Sequence, residues 1–525
     1  MLKRGEGTTF LHWVELLPEA VLRARPRLAF FHAGVLIVVG RSDAAEARLQ
    51  TLERDLKADT GPAPALANAE TQIIVGEISA ARAIVAACEG DVMQTIELTR
   101  QALEHLPETE LFGRSVLAAS LGTAYWWSGN LAEADRAFAN ARIISQAAGN
   151  AHASIGSLCG QGYLQVAWGK LHRAIELFQQ AIQEAAEPDG QVLPVASLAY
   201  GGLGEVFYQW NELEQAEQAL LEAIRLAKAW GDPRTLSYAH AILAHVRHAQ
   251  GQHEGTLHLL DQAELIAQQH HITQLMTTIP ASRAWLFLKQ GDLEAASRWA
   301  GAWAQQWRAA PSYSRDVEFA SLILARVFLA LDQFEKAHTL LAHMLSVAKA
   351  TKRIGSFIET LALQALIYQK QGHLIQAVAA LCKALFLAAP EGYIRIFADE
   401  GAPMATLLLQ IAQGQRRGRQ RDWQPIPPDY LQILLAACGH KDGEELLFSR
   451  EGPHESATAA SQGLSEREME VLQLLASGLS NLEIAERMVV AVSTVKWHIK
   501  QIYTRLEAHS RTQAIKQARI LHLLP

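Results

Sequence analysis

The sequence runs to 525 residues, half of them apolar and 19% charged, which is too long for one hydrophobic core and too apolar for a disordered chain. A formal net charge of -7 excludes a protein that is basic over its whole surface, while leaving room for a basic module at one end. The cysteines, Cys88, Cys159, Cys382 and Cys438, lie far apart with no CxxC pair, so no disulfide framework or metal site is expected and the thiols read as reduced groups in a cytoplasmic protein.

The first element is the apolar run from Leu28 to Gly40. It contains His32, is too short to span a bilayer and lacks a small-residue cleavage signal, so it reads as a buried helix and not as a membrane or signal segment. No membrane association is expected.

From there a pattern recurs. A helical stretch ends in a small or polar residue; then come an apolar residue, two variable ones and a small one, and a second amphipathic helix follows. The clearest copies are GNLAEA at 129–134, GKLHRA at 169–174, GDLEAA at 291–296 and GHLIQA at 372–377. Weaker copies are GDVMQT at 90–95, NELEQA at 211–216, GQHEGT at 251–256 and DQFEKA at 332–337, with an earlier one near Gly40 to Ala45. The third residue of each copy falls at Val92, Leu131, Leu171, Leu213, His253, Leu293, Phe334 and Leu374, at spacings of 39, 40, 42, 40, 40, 41 and 40 residues. That regularity predicts a solenoid of stacked helix pairs. Glycine at the turn permits a left-handed conformation. The apolar residue packs the second helix onto the first, and the small one (Ala134, Ala174, Ala216, Ala296, Ala337 or Ala377) lets the two backbones approach. Apolar positions at three and four residues, as in Leu171, Ala174, Ile175 and Phe178, exclude strands.

Aromatic and histidine clusters inside the array invite functional readings. Trp126, Trp127, Trp168 and Trp210 precede turns, and Trp299, Trp303 and Trp307 recur at four-residue spacing. Recurrence at one repeat position favours inter-helix packing over a ligand groove. His245 with His248, and Glu254 with His258, share helical faces, but such spacing arises commonly in long helices and does not define a metal site. No HExxH, GxSxG or GxxxxGK[ST] motif occurs, so no enzymatic activity and no cofactor are expected.

After the array, residues 390–410 read as helix broken at Gly392 and Gly401. RRGRQR at 416–421 reads as a solvated basic loop, Tyr430 to Ala437 as a short helix, and 441–462 as a linker. The expected division is a helical repeat domain over 1–410, a loop, short helix and linker over 411–462, and a C-terminal module over 463–525.

Four helices are predicted in that module. Ser465 with Glu468 forms a capping box ahead of Val471, Leu472, Leu474 and Leu475; Gly478 ends this helix. Ser480 with Glu483 repeats the box ahead of Ile484, Ala485 and Met488. The third helix spans about Ser493 to Leu506, with Val495, Ile499, Ile502 and Leu506 on one face and Lys496, Trp497, Lys500 and Gln501 turned away from it. Ser510 with Gln513 starts the fourth, which presents Ala514, Ile515, Ala518 and Leu521. From Ala491 onward there are six Lys or Arg against one Glu, which suits a phosphate-binding surface. A short helix, a turn and a longer helix is the helix-turn-helix arrangement.

SNxEIA at 480–485 followed by TVKxH at 494–498, with Leu464, Glu466, Arg467, Glu468, Val471, Leu472, Leu475, Gly478, Ile502, Leu506, Arg511 and Ala514, resembles the LuxR-type helix-turn-helix domain. The repeats resemble the tetratricopeptide class in its longer form. Together with 10–49 and 391–408, the chain resembles the MalT-like large LuxR-family transcription regulators over essentially its whole length. The resemblance implies an all-α protein: a tetratricopeptide-like solenoid followed by a four-helix LuxR-type module that binds double-stranded DNA. It implies that Lys496, His498 and Lys500 lead the DNA contacts, and that Ser480 and Thr494 touch phosphates or cap helices. Asn481, Ser493, Trp497, Gln501 and Arg505 complete the expected set. Thr512, Ile515, Lys516 and Arg519 would face a second copy in a homodimer on DNA. The repeats would receive a small-molecule inducer or a regulatory protein. Ala491, Gln501, Arg505 and Glu507-Ala508 depart from the family's usual Ser, Asn, Lys and Gly-Val. Members usually carry a P-loop ATPase and a winged-helix region ahead of the repeats; this sequence shows neither, and a fragment or shortened gene is the expectation. The competing function is a protein-interaction scaffold with a vestigial DNA-binding end.

Overall fold

A computed structural model describes residues 7–58, 65–89, 91–188, 190–307, 314–416, 426–439 and 466–488, together with 495, 498–499, 502–503, 506, 508, 510–521 and 523–524. Among the described residues the regular elements are all helices, with one isolated bridge between Ala186 and Val192. After Gly7–Glu15 and Glu19–Arg23 the helices come in pairs: Pro26–Val38 with Ser42–Ala58, Ala65–Glu89 with Val92–His105, Leu111–Trp127 with Leu131–Ala147, and Ala151–Ala167 with Leu171–Ala185. The pairs Ser197–Gln209 with Leu213–Trp230, Pro233–Ala249 with Thr256–Gln269, Thr273–Gln290 with Leu293–Trp307, Arg315–Ala330 with Phe334–Ala350, and Ile354–Lys370 with Leu374–Ala388 continue the series.

The period residues mark helix starts: Val92, Leu131, Leu171, Leu213, Leu293, Phe334 and Leu374 are each the first residue of a second helix. The turn before each needs a left-handed residue. Gly129, Gly169, Gly291 and Gly372 supply it with φ of 75–82°. Where glycine is missing, Asn211 and Asp332 take the same conformation, each at φ 58°; Asn and Asp tolerate it best among residues with a side chain. The small position is sealed in every copy: Ala134, Ala174, Ala216, Ala296, Ala337 and Ala377, with Thr95 and Thr256, are all 0% exposed. One copy departs from the expected register. In GQHEGT the second helix begins at Thr256, three residues later than at the other turns, with Gly255 at φ 81° immediately ahead of it.

Contacts divide the chain into two compact units, Met1–Tyr208 with Leu213–Ser356, and Gln209–Glu212 with Phe357–Pro525. Within the first unit the solenoid coils tightly enough that residues one turn apart touch. The Cys88 carbonyl accepts from Gln274 Nε2 at 2.9 Å, 186 residues away. Gly169 lies so close to Ile354 that a Cβ there would approach it to 2.8 Å. The Arg315 guanidinium sits 5.4 Å from the Trp126 ring.

Within the second unit, the 390–410 stretch is broken as expected, with Gly392 at φ 71° and Gly401 at φ 65°. Trp210 Nε1 donates to the Glu391 carbonyl at 2.8 Å, and Arg395 Nη1 donates to Asn211 Oδ1 at 3.0 Å. Helix Ala402–Arg416 follows, and the short helix spans Pro428–Ala437. The basic loop beyond Arg416 and the linker fall outside the described residues. Thr71–Glu89 and Leu374–Glu391 are long and apolar enough to cross a membrane. Both nevertheless pack as solenoid helices, with Ile74, Ile78, Leu381 and Leu385 buried.

Candidate nucleic-acid interface and repeat-domain clusters

The C-terminal module is built around its own core. Val471, Leu472, Leu475, Ile484, Ala485, Val495, Ile502, Ala514 and Ala518 are buried in one cluster. Its first helix is Glu466–Ala476 and its second is Asn481–Met488. Gly478 at φ 90° turns the chain between them, and its amide donates to the Leu475 carbonyl at 3.0 Å. The expected box at Ser480 is formed both ways: the Glu483 amide donates to Ser480 Oγ at 3.3 Å, and the Ser480 amide donates to a Glu483 carboxylate oxygen at 2.7 Å. Those bonds from Ser480 hold the Glu483 carboxyl below its ordinary range. Ser510 caps the last helix, Arg511–Ile520, by accepting from the Gln513 amide at 3.2 Å. Ser465, paired with Glu468 in the sequence reading, lies outside the described residues.

Arg511 shows a role that sequence spacing did not suggest. Its Nη2 donates to the Leu475 carbonyl at 2.6 Å, closing the first helix from the start of the fourth. A cation suits the carbonyl end of a helix on charge grounds as well.

Val495, His498, Ile499, Ile502 and Tyr503 are helical. His498 was expected among the leading DNA contacts. It is instead 3% exposed, with Nε2 3.3 Å from an Asp429 carboxylate oxygen. Positions 495, 498, 499 and 502 recur at three and four residues, so His498 shares the inward stripe with Val495 and Ile502. Lys496, Trp497, Lys500, Gln501, Ser493, Thr494 and Arg505 fall outside the described residues. Ser480 is exposed, and Asn481 is half-buried at the start of the second helix. Thr512, Ile515, Lys516 and Arg519 come together, with Arg511 and Ile520, along a shallow groove of about 490 Å³ on the fourth helix. Ile520 there is 59% exposed.

The aromatic clusters of the array resolve into distinct roles. Trp303 is buried and stacks on Trp299, with ring centroids 6.5 Å apart and planes at 8°. His245 and His248 both lie against Trp285, at 4.5 and 5.3 Å. Among the described residues no group of three His, Cys, Asp or Glu could hold a metal ion. Trp126 belongs to a cluster with Tyr163, Glu205, Tyr238 and Arg315, which no linear motif signals because its members are scattered over 190 residues of sequence.

Two families match this chain. The one described as "MalT-like TPR region" matches residues 76–414, and "Bacterial regulatory proteins, luxR family" matches 462–518. The chain is 25% identical over 515 residues to the HTH-type transcriptional regulator MalT of Serratia proteamaculans (strain 568), covering 96% of this chain and 55% of that protein. It is also 25% identical over 516 residues to the protein of the same name from Yersinia pestis, covering 97% and 56%. The chain thus spans about half the length of the curated relatives it matches. Among solved structures, a Rap protein complexed with competence and sporulation factor shares the repeat fold, with a TM-score of 0.51 and 12% identity over 70% of this chain and 98% of that one.

Proposed function

Because the chain belongs to the MalT-like TPR-region family and carries a luxR-family module at its C-terminus, we propose that it is a sequence-specific, DNA-binding transcription regulator governed by its repeats. The observation that carries this reading is the module itself: a helix-turn-helix core with both a reciprocal capping box and a capped fourth helix, with six Lys or Arg against one Glu from Ala491 onward in an acidic chain. The two matched families, a TPR region and a family of regulatory proteins, are consistent with an absence of enzymatic activity in this chain.

In this reading the chain comprises a repeat domain over 1–410, a loop, short helix and linker over 411–462 and a DNA-binding module over 463–525, and the protein works in the cytoplasm. Lys496, Trp497, Lys500, Gln501 and Arg505 present the polar and basic face to duplex DNA, with Ser480, Asn481, Ser493 and Thr494 at the phosphates. His498 supports the recognition helix from its inner side. Thr512, Ile515, Lys516 and Arg519 pair two copies on a two-fold site. The repeats receive a small-molecule effector or a regulatory protein. The test is a DNA-binding selection with the whole chain. A shared enriched sequence supports a regulator, and sequence-blind binding supports the scaffold reading.

A further inference from the structure

Four successive repeats contribute one residue each to a cage on the first helices of their pairs: Trp126 from Leu111–Trp127, Tyr163 from Ala151–Ala167, Glu205 from Ser197–Gln209 and Tyr238 from Pro233–Ala249. The cage holds a guanidinium. Arg315 Cζ lies 5.4 Å from the Trp126 ring centroid, 5.9 Å from Tyr163 and 6.0 Å from Tyr238. Its Nη2 pairs with Glu205 Oε1 and reaches the Tyr238 hydroxyl at 3.3 Å. Tyr238 in turn donates to Glu205 Oε2 at 2.5 Å, and Tyr163 donates to the Leu198 carbonyl at 2.9 Å. Three ring faces around one carboxylate are complementary to an organic cation and to little else, since ring faces and carboxylate are all negative.

The occupant differs in kind from the cage. Arg315 is the first residue of helix Arg315–Ala330, whose N-cap residue Ser314 makes no side-chain cap bond. It arrives from 77 to 189 residues further along the chain than the rings it contacts. Its side chain keeps 30% of its surface exposed, and Glu205 keeps 16%. The Arg353–Glu318 pair in the same unit is sealed by comparison, at 3% and 9%. All five members of the cage cluster are half-buried, each keeping part of its surface accessible to solvent.

We propose that the Trp126–Tyr163–Glu205–Tyr238 cage is the effector site of the repeat domain, that its ligand is a small organic cation bearing a guanidinium, and that Arg315 is the built-in occupant that this ligand displaces. The proposal rests on the reading of the repeats as an effector domain. A ligand guanidinium takes over the Glu205 pair and the ring faces, and Arg315 leaves. Helix Arg315–Ala330 then loses its charged tie to the preceding coil of the solenoid, which couples occupancy to the geometry of the array. The apparent affinity of such a site is reduced by the fraction of time that Arg315 fills it.

The experiment titrates the full chain with methylguanidinium, read by tryptophan fluorescence and by the melting temperature, with methylurea as the neutral control of the same shape. Arg315→Ala empties the cage. It is expected to bind methylguanidinium about tenfold more tightly than the parent, as for a site filled nine-tenths of the time by its own competitor. Methylurea should not bind, and adding Glu205→Gln should abolish the gain. Equal binding by parent and Arg315→Ala, no saturable binding by either, or equal binding of methylurea would overturn the proposal. Arg315→Ser, which also empties the cage, replaces Arg315→Ala under the same criteria if the latter fails to give a cooperative melt. The readout involves no DNA, so a failure here is separate from a failure of the regulator reading.

Discussion

Phe178 occupies the space that the missing side chain of Gly202 leaves open. The ring comes from the second helix of one pair and lies across Gly162 of its own first helix and Gly202 of the next. A Cβ at Gly162 would meet the ring at 2.5 Å, and one at Gly202 would overlap it. Phe138 repeats the arrangement one period earlier, across Gly122 and Gly160. These glycines serve close approach between layers of the solenoid. Gly202→Ala should therefore destabilise the chain by about 1–3 kcal/mol through overpacking. Gly156→Ala, where an added Cβ meets nothing within 4 Å, should be neutral or stabilising by up to roughly 1 kcal/mol. Urea midpoints of the two variants check the contrast, and similar midpoints would remove the packing explanation.

The Glu318–Arg353 pair joins two neighbouring pairs of helices at 2.9 Å with almost no solvent access. Removing one partner leaves the other charge buried alone, at a cost of about 3–5 kcal/mol. Glu318→Leu should show that loss, and Glu318→Leu with Arg353→Met should recover most of it. Chemical denaturation of the single and double variants measures the difference. A double variant as unstable as the single would show that packing, and not the stranded charge, sets the cost.

His240 is 6% exposed, and its Nδ1 lies 2.7 Å from the Leu236 carbonyl. A carbonyl only accepts, so Nδ1 carries the proton and the ring is neutral through Nε2. Burial pushes its pKa below the usual 6.5, opposed by the Leu236 bond. The unfolded chain therefore binds a proton near pH 6.5 that the folded chain refuses until lower pH. Stability from this site is full above the unfolded value and falls as pH drops through 6.5 towards the depressed folded value. His240→Gln should flatten the stability profile between pH 7 and 5. An unchanged slope would assign the acid sensitivity to other groups.

The sequence revealed most where one residue does one local job. Turn glycines, the apolar residue that begins each second helix and the sealed alanines repeat at a fixed period, and each could be read without tertiary information. Asn211 and Asp332 were legible as weaker turn signals for the same steric reason. His253 misled because its register came from the period, while the backbone followed Gly255. The cage around Arg315 was not legible, since its members are joined only by the coiling of the solenoid. Trp126 reads as a packing residue from its position before a turn, and its contact with Arg315 depends on a helix one coil away. His498 was placed by family pattern, whereas its burial follows from the three-and-four spacing with Val495 and Ile502, which the sequence already contained.

Arg511 closes the first helix of the C-terminal module through the Leu475 carbonyl. A hydrogen bond from a charged donor contributes about 1.5–3 kcal/mol, and the module has a small core with little to spare. Arg511→Ala should raise amide exchange across Glu466–Met488 in the full chain while leaving helices such as Leu213–Trp230 protected. Uniform exchange along the chain, or none gained in the module, would contradict this role.

The most direct test of the central claim is a genome-wide DNA-binding selection with the full chain at two salt concentrations, run beside a Lys496→Ala, Lys500→Ala variant. A sequence-specific regulator predicts sharp enrichment of one shared sequence that persists at the higher salt and is lost in the variant. Weak binding that is blind to sequence and collapses with salt, equally in both proteins, would contradict it and leave the repeat array as a scaffold.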